Sequence, residues 1–330
     1  MKTVLTGVKP TGSLHIGNYF GAIKPALTLA EKYEARYFIA DYHALNTMKD
    51  AAELKNAIRG IAAGWLAVGL DPEKVVFYRQ SAVPEIFELA TILAAFTAKG
   101  LLNRAHAYKA AVQRNVEHGD DEDAGVNMGL FTYPILMAAD ILLFNADVVP
   151  VGRDQVQHVE IAQDIAKAVN FNYKKNLLKI PEALTLENSE VVPGLDGRKM
   201  SKSYDNTIPL FSSGAALRKQ IMRIVTNSQG VDEPKNPGDS QIFTLYCLFA
   251  SETERLEMDK RYRAGGMGWG EAKEELFRVM NRELSPLRER FNAFISEPDH
   301  MDAILRDGAE KARAIASRTL AGLRSAAGIG

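Results

Sequence analysis

The chain opens on a short β-branched run, "TVLTGV" at 3–8, which gives way to the turn-forming "KPTG". An apolar run of that length bounded by turn residues predicts a buried strand, and the pattern after it predicts a helix beginning near Ser13 or Leu14. The theme recurs. "ARYFIADYHAL" (35–45) is a strand ending in polar residues, and "AAELKNAIRGIAAGWLAVGL" (51–70) is an amphipathic helix stopped at Gly69. "VVFYRQS" (75–81) is a further strand, followed by the helical "VPEIFELATILAAFTAKGLL". "DVVPVG" (147–152) is another, with the helix "RDQVQHVEIAQDIAKAV" after it. Strands alternating with helices at this spacing predict βαβ units in an α/β, doubly wound parallel sheet, which binds ligands at the carboxyl ends of its strands.

Beyond about residue 204 the strand patterns stop, and five helix-patterned segments separated by Gly, Pro and Asp run to the end. The expected division is an α/β domain over 1–203, with a helical insertion around 80–130. A helical domain over 204–300 follows, and then a last helix over 301–330 that packs back on the first domain. A length of 330 residues with 46% hydrophobic and 25% charged residues suits two domains with a proper core. One cysteine, Cys247, excludes an intramolecular disulfide framework and fits a reducing cytoplasm. The N-terminal segment lacks a signal-peptide pattern and no run approaches ~20 apolar residues, so no membrane association is expected. A net charge of −1 argues against non-specific coating of nucleic acid, while leaving room for a local basic groove. "EHGDDEDAG" (117–125) reads as a solvated acidic loop, where mobility is expected.

Two segments carry candidate chemistry. The first strand–helix junction, "TGVKPTGSLHIGN" (6–18), has Gly7, Gly12 and Gly17, which let backbone approach a ligand. Its helix start offers unpaired N–H groups to an anion. On a helix, His15 and Asn18 share a face and both can donate to phosphate oxygens, while Gly17 leaves room for a flat ring. The plainer reading is a Gly-rich turn with Ser13 as helix cap. The second segment, "DGRKMSKSYDN" (196–206), gathers Arg198, Lys199 and Lys202. Alone it is a wet surface loop; beside a phosphate-binding helix start it is one jaw of a polyphosphate clamp.

Together, "HIGN" (15–18) and "KMSKS" (199–203) resemble the paired motifs of the class I aminoacyl-tRNA synthetases. The resemblance spans essentially the whole chain and implies a Rossmann-like catalytic domain that activates an amino acid with ATP. "FTYPILMAADILLFNADVVPVGRDQVQHVE" (131–160) resembles the branch specific for tryptophan. Indole has one donor and no acceptor, and Asp140 is a carboxylate in an apolar segment; the plainer reading is a surface or capping acid.

By resemblance Tyr133 and Gln155 bind the substrate's α-amino group, Met137, Val149 and Val151 line the indole pocket, and His43 packs on the ligand or bonds to it. Lys9, Pro10, Thr11, Gly17 and Asn18 fall on the ATP side. Gly152, Arg153 and Asp154 match the ribose-contacting segment, although Asp154 also reads as the cap of the next helix. Val192 meets adenine, and Lys199, Met200, Ser201, Lys202 and Ser203 contact the nucleotide.

The implied catalytic set is His15, Asn18, Lys199 and Lys202, with Mg²⁺ assisting and no metal held by the protein. The implied partners are tRNA(Trp) and a second copy of the chain, the helical domain of one subunit reading the anticodon of a tRNA charged by the other. Three departures stand out: Lys9 for a frequent Gln, Leu5 for a frequent Phe, and a longer, more acidic loop at 109–127. The resemblance does not choose between Lys109 and Arg114 as an ATP contact. The rivals are a tyrosine-specific synthetase of the same fold, a nucleotidyltransferase, and a non-enzymatic paralogue that binds tryptophan or RNA.

Overall fold

The computed structural model describes residues 1–185 and 192–329, so 186–191 of the expected catalytic domain and Gly330 of the last helix lie outside the described residues. Five strands form one sheet: β1 (Thr3–Val8), β2 (Glu34–Ile39), β3 (Val76–Arg79), β4 (Val148–Val151) and β5 (Glu182–Thr185). Their order is β3-β2-β1-β4-β5, and each pairs in parallel with its neighbours. The strand order reverses at β1, which lies between β2 and β4. That is where an open α/β sheet leaves a crevice.

The apolar runs of the sequence follow from burial of both faces. Val4, Tyr37, Phe77 and Val148 point into one core, while their immediate neighbours Leu5, Phe38, Tyr78 and Val149 point into the other. Successive strand side chains alternate faces, so a sheet covered on both sides shows no polar alternation. β5 escaped the sequence pattern because it is four residues at the sheet edge with only partly buried side chains.

Helices cover both faces. α1 (Ile16–Asn18) passes through a π turn, Tyr19–Ile23, into α2 (Lys24–Ala30). α3 (Asp41–Ala44) follows β2, and α4 (Ala51–Ala67) buries Trp65 and Leu66 against the first core. The helix expected after β3 is broken into α5 (Glu85–Ala94) and α6 (Lys99–Leu102). α7 (His106–His118), α8 (Met128–Leu142) and α9 (Val156–Tyr173) complete this part, with α5, α8 and α9 in the second core. The acidic 117–125 stretch is tied back at several points: Asn115 donates to the carbonyls of Glu122 (2.9 Å) and Ala124 (2.8 Å), and Tyr108 to Asp123 (2.8 Å).

The remaining chain is helical: α10 (Gly214–Met222), α11 (Gln241–Phe249), α12 (Glu252–Ala264), α13 (Trp269–Ser296) and α14 (Pro298–Ala327). α13 packs on α4, α10 and α11 and runs unbroken through Pro286. α14 packs on β3 and α5. Arg313 pairs with Glu85 at 3.0 Å, Arg324 pairs with Glu88, and Gly308 lies against the backbone of Phe77. Among the described residues no helix is long and apolar enough to cross a membrane.

A Cβ on Gly308 would collide with the Phe77 carbonyl, and backbone cannot yield as a side-chain tip does. Gly308→Ala, although alanine is the better helix former, is therefore expected to destabilise the protein by about 1–3 kcal/mol through overpacking. An unchanged or raised Tm would refute the close approach.

Candidate functional site

The turn after β1 closes with the Thr11 N–H donating to the Lys9 carbonyl (2.9 Å), and Gly12 takes φ +63°. The next helix starts later than the sequence pattern suggests, and its cap is His15 rather than Ser13. The Asn18 N–H donates to His15 Nδ1 (3.3 Å), and the His15 N–H donates to Asn18 Oδ1 (3.1 Å). This reciprocal box satisfies two helix-start donors and fixes both side chains. Accepting at Nδ1 places the neutral imidazole's proton on Nε2. Burial, then the nearby Lys202 charge, push the His15 pKa down to about 4, so the ring is neutral near neutral pH. His15 Nε2–H and the Asn18 amide NH₂ are the donors left to meet an anion.

The lysine-rich segment reaches this helix start. The chain entering it folds back on itself, with the Gly194 N–H donating to the Arg198 carbonyl (2.7 Å) and the Met200 N–H to that of Val192 (2.8 Å). Met200 is buried, and its sulfur accepts from the Gly17 N–H at 3.3 Å. Lys202 Nζ donates to the Thr11 carbonyl, beside Gly12. Buried Asn206 holds the loop, accepting from the Ser201 N–H (2.8 Å) and donating to Asp196 (2.7 Å) and the Lys199 carbonyl (3.1 Å). Arg198 is occupied by Asp196 at 2.6 Å and lies 4.4 Å from the centre of the Tyr204 ring. The segment is therefore a pinned loop with Lys199, Lys202 and Ser203 at its exposed rim.

Beside it a cavity of about 460 Å³ opens at the carboxyl ends of β1 and β4. Leu5, Phe38, Met137, Val149 and Val151 make its apolar wall, with Lys9, His43, Tyr133, Asp140, Gly152 and Gln155 as polar members. Burial lowers the Lys9 pKa. Asp140 is buried in the last turn of α8, whose caps are Asn127 and Leu143, which rules out a surface or capping role. His43 Nε2 lies 2.9 Å from Asp140 Oδ2, and Gln80 Nε2 donates to both carboxylate oxygens at 2.9 Å each. Burial pushes the Asp140 pKa up, opposed by the bonds from His43 and Gln80. His43 sits in α3 after β2, one short helix further than the strand end expected for it. The Tyr133 hydroxyl bonds His158 Nε2, and Gln155 donates to Asp154 at 2.8 Å. The cap of α9 is Gln155, so Asp154 does not cap that helix.

Other candidates lie outside the cavity. Val192 lines a separate recess with Phe243, Thr244 and Cys247, and neither Lys109 nor Arg114 on α7 reaches the cavity wall. Among the described residues no cluster of three or more His, Cys, Asp or Glu could hold a metal. Sequence reasoning missed Gln80, His158 and Asn206. For Gln80 a clue existed: it is the polar residue directly after a strand whose carboxyl end faces the crevice.

The family model described as class I tRNA synthetases (W and Y) matches residues 1–285. The tryptophan–tRNA ligase of Pseudomonas aeruginosa is 54% identical over 99% of this chain and 73% of its own length. That of Neisseria meningitidis is 50% identical, covering 99% of this chain and 98% of its own. A crystal structure of tryptophanyl-tRNA synthetase from Campylobacter jejuni, complexed with ADP and tryptophan, superposes with TM-score 0.92 at 46% identity over 99% of both chains.

An unfolded histidine titrates near 6.5 and His15 in the fold near about 4, so between these values the unfolded chain binds the extra proton. The stability His15 contributes above pH 6.5 is lost as pH falls toward 4. His15→Asn retains a good capping residue and should show a smaller fall in Tm across that interval than wild type. Equal falls would refute the neutral, buried imidazole.

Proposed function

Because the chain belongs to the class I tRNA synthetases of tryptophan and tyrosine, we infer from its half-identical relatives that it activates L-tryptophan with ATP and transfers it to tRNA(Trp). The observation that carries the tryptophan assignment into the site is Asp140, an anionic acceptor on the wall of an otherwise apolar cavity. Indole presents one N–H and no acceptor to such a wall. A solved tyrosyl-tRNA synthetase, from Archaeoglobus fulgidus, is 18% identical with TM-score 0.59, a likeness of fold alone.

In our reading the indole lies against Met137, Val149 and Val151 with its N–H on Asp140, and Tyr133 and Gln155 receive the ammonium group. ATP lies across the turn at Lys9, Pro10 and Thr11 and the start of α1. Its ribose reaches Gly152, Arg153 and Asp154, and its adenine Gly17, Val192 and Met200. The ADP and tryptophan bound by the Campylobacter jejuni relative support this pairing of ligands.

The tryptophan carboxylate attacks the α-phosphorus in line. The new C–O–P bond forms as the α–β phosphoanhydride breaks, and tryptophanyl-AMP and pyrophosphate result. A carboxylate is already nucleophilic, so the protein's work is positioning and charge stabilisation. His15 Nε2–H and the Asn18 amide hold phosphate oxygens from one side. Lys199 and Lys202, with Ser201 and Ser203, hold the departing pyrophosphate from the other, Lys202 leaving the Thr11 carbonyl to do so. Mg²⁺ would come with ATP and be held mainly by phosphate oxygens and water, where it would offset the charge on the phosphates. The terminal ribose hydroxyl of tRNA then takes the acyl group and releases AMP.

We place this chemistry in the cytoplasm and in a homodimer joined through the helices around 80–130. The 204–300 helices of one subunit read the anticodon of a tRNA charged by its partner, and 301–330 braces the catalytic domain.

Tryptophan-dependent ATP–pyrophosphate exchange tests the activity directly, and exchange driven by tyrosine instead would overturn the assignment. Lys202→Ala should lower kcat of exchange by about 10²–10³-fold with little change in tryptophan affinity; near-normal turnover would sink the clamp role. Asp140→Ala should weaken tryptophan binding by about 10–100-fold while ATP binding survives, and calorimetry with each ligand separates the two.

A further inference from the structure

Gln80 stands in the 3₁₀ turn Gln80–Ala82 directly after β3, with no exposure to solvent. Its amide can point only one way. Oε1 accepts from the Tyr42 N–H at 3.2 Å, so the NH₂ faces Asp140. The flipped amide would set donor against donor at Tyr42 and acceptor against carboxylate at Asp140. The backbone that carries it is stitched as well: Asp41 accepts from the Ser81 N–H (3.0 Å), the Tyr42 N–H (3.1 Å) and the Ser81 hydroxyl. The segments leaving β2 and β3 are thereby locked together beneath the cavity.

The bonds divide unequally over the carboxylate. Oδ2 takes one from Gln80 and one from His43, whereas Oδ1 takes one from Gln80 alone. The acceptor site left over belongs to Oδ1. We propose that Gln80 is the positioning residue that sets substrate specificity here, by holding Asp140 as an ionised, acceptor-only group whose remaining lone pair on Oδ1 is aimed at the indole N–H. The proposal rests on the tryptophan reading of the site. Its physical basis is a choice between two states of a buried acid. Deprived of its amide donor, a carboxyl group in so apolar a place takes up a proton, and a neutral COOH no longer demands a donor from its ligand. With the donor in place, any ligand that cannot offer N–H leaves a buried charge short of a partner.

The test uses the full chain and two probes in ATP–pyrophosphate exchange: L-tryptophan and its benzothiophene analogue, in which sulfur replaces the ring N–H. Gln80→Met keeps length and removes the donor; Gln80→Leu removes it in a shorter side chain. In both, the preference for tryptophan over the sulfur analogue should narrow by at least about tenfold, through the KM for tryptophan. Neither kcat nor the KM for ATP should change, and an unchanged KM for ATP shows that the fold is intact. A variant that weakens both ligands equally, or that keeps the wild-type preference, overturns the role given to Gln80 and leaves the indole reading standing. A wild-type chain with no preference for the N–H overturns both.

Discussion

Everything at the site hangs from one constraint: the strands around β1 run in the same direction, so their carboxyl ends meet along one edge of the sheet. Each of four strands then delivers something to that edge. β1 supplies the Thr11 turn and His15, β2 leads to His43, β3 ends on Gln80, and β4 ends on Gly152 and the Arg153–Gln155 turn. Asp140 is the exception, coming from a helix that packs over the same crevice. An antiparallel sheet of the same strands would send half of these groups to the opposite edge.

Within that edge two neighbouring environments have opposite character. The cavity is apolar, with a buried carboxylate held by neutral or weakly basic donors. The adjoining turn offers N–H groups and lysines, and its histidine is kept uncharged by burial and by Lys202. A neutral ring with its proton on the outer nitrogen is a donor without being a cation, which spares the site a further buried positive charge. Burying Asp140 is costly unless its hydrogen bonds are complete, which explains why the segments after β2 and β3 are so closely tied.

Much of this was legible in the chain. Strands β1 to β4 announced themselves because both sheet faces are covered, and the two motif segments stood out by composition and order. Other features were not legible for physical reasons. Ser13 is the stronger capping residue by preference, yet His15 caps, because the turn and the pairing of Leu14 and Ile16 with the segment at 208–210 hold the chain extended until then. β5 has too little buried surface to leave a pattern. Arg198 looked like a third cation for the clamp, but its partners lie in its own loop, Asp196 two positions before it and Tyr204 six positions after. Gln80 and His158 act through contacts with residues 60 and 25 positions away, Asp140 and Tyr133, whereas Asn206 acts within its own loop, on Asp196, Lys199 and Ser201, where its burial and not its local sequence sets it apart.

The packing of α14 on β3 has a bearing on how the molecule comes into being. β3 is an edge strand, and such edges invite pairing with other chains unless something covers them. Here the cover is supplied from far along the chain: Glu85 and its partner Arg313 are 228 positions apart. During synthesis the strand and its neighbours emerge long before their cover does. Closing so wide a loop is slow relative to local helix formation. Through that interval the nascent sheet has an open flank, the condition under which partly folded chains associate wrongly.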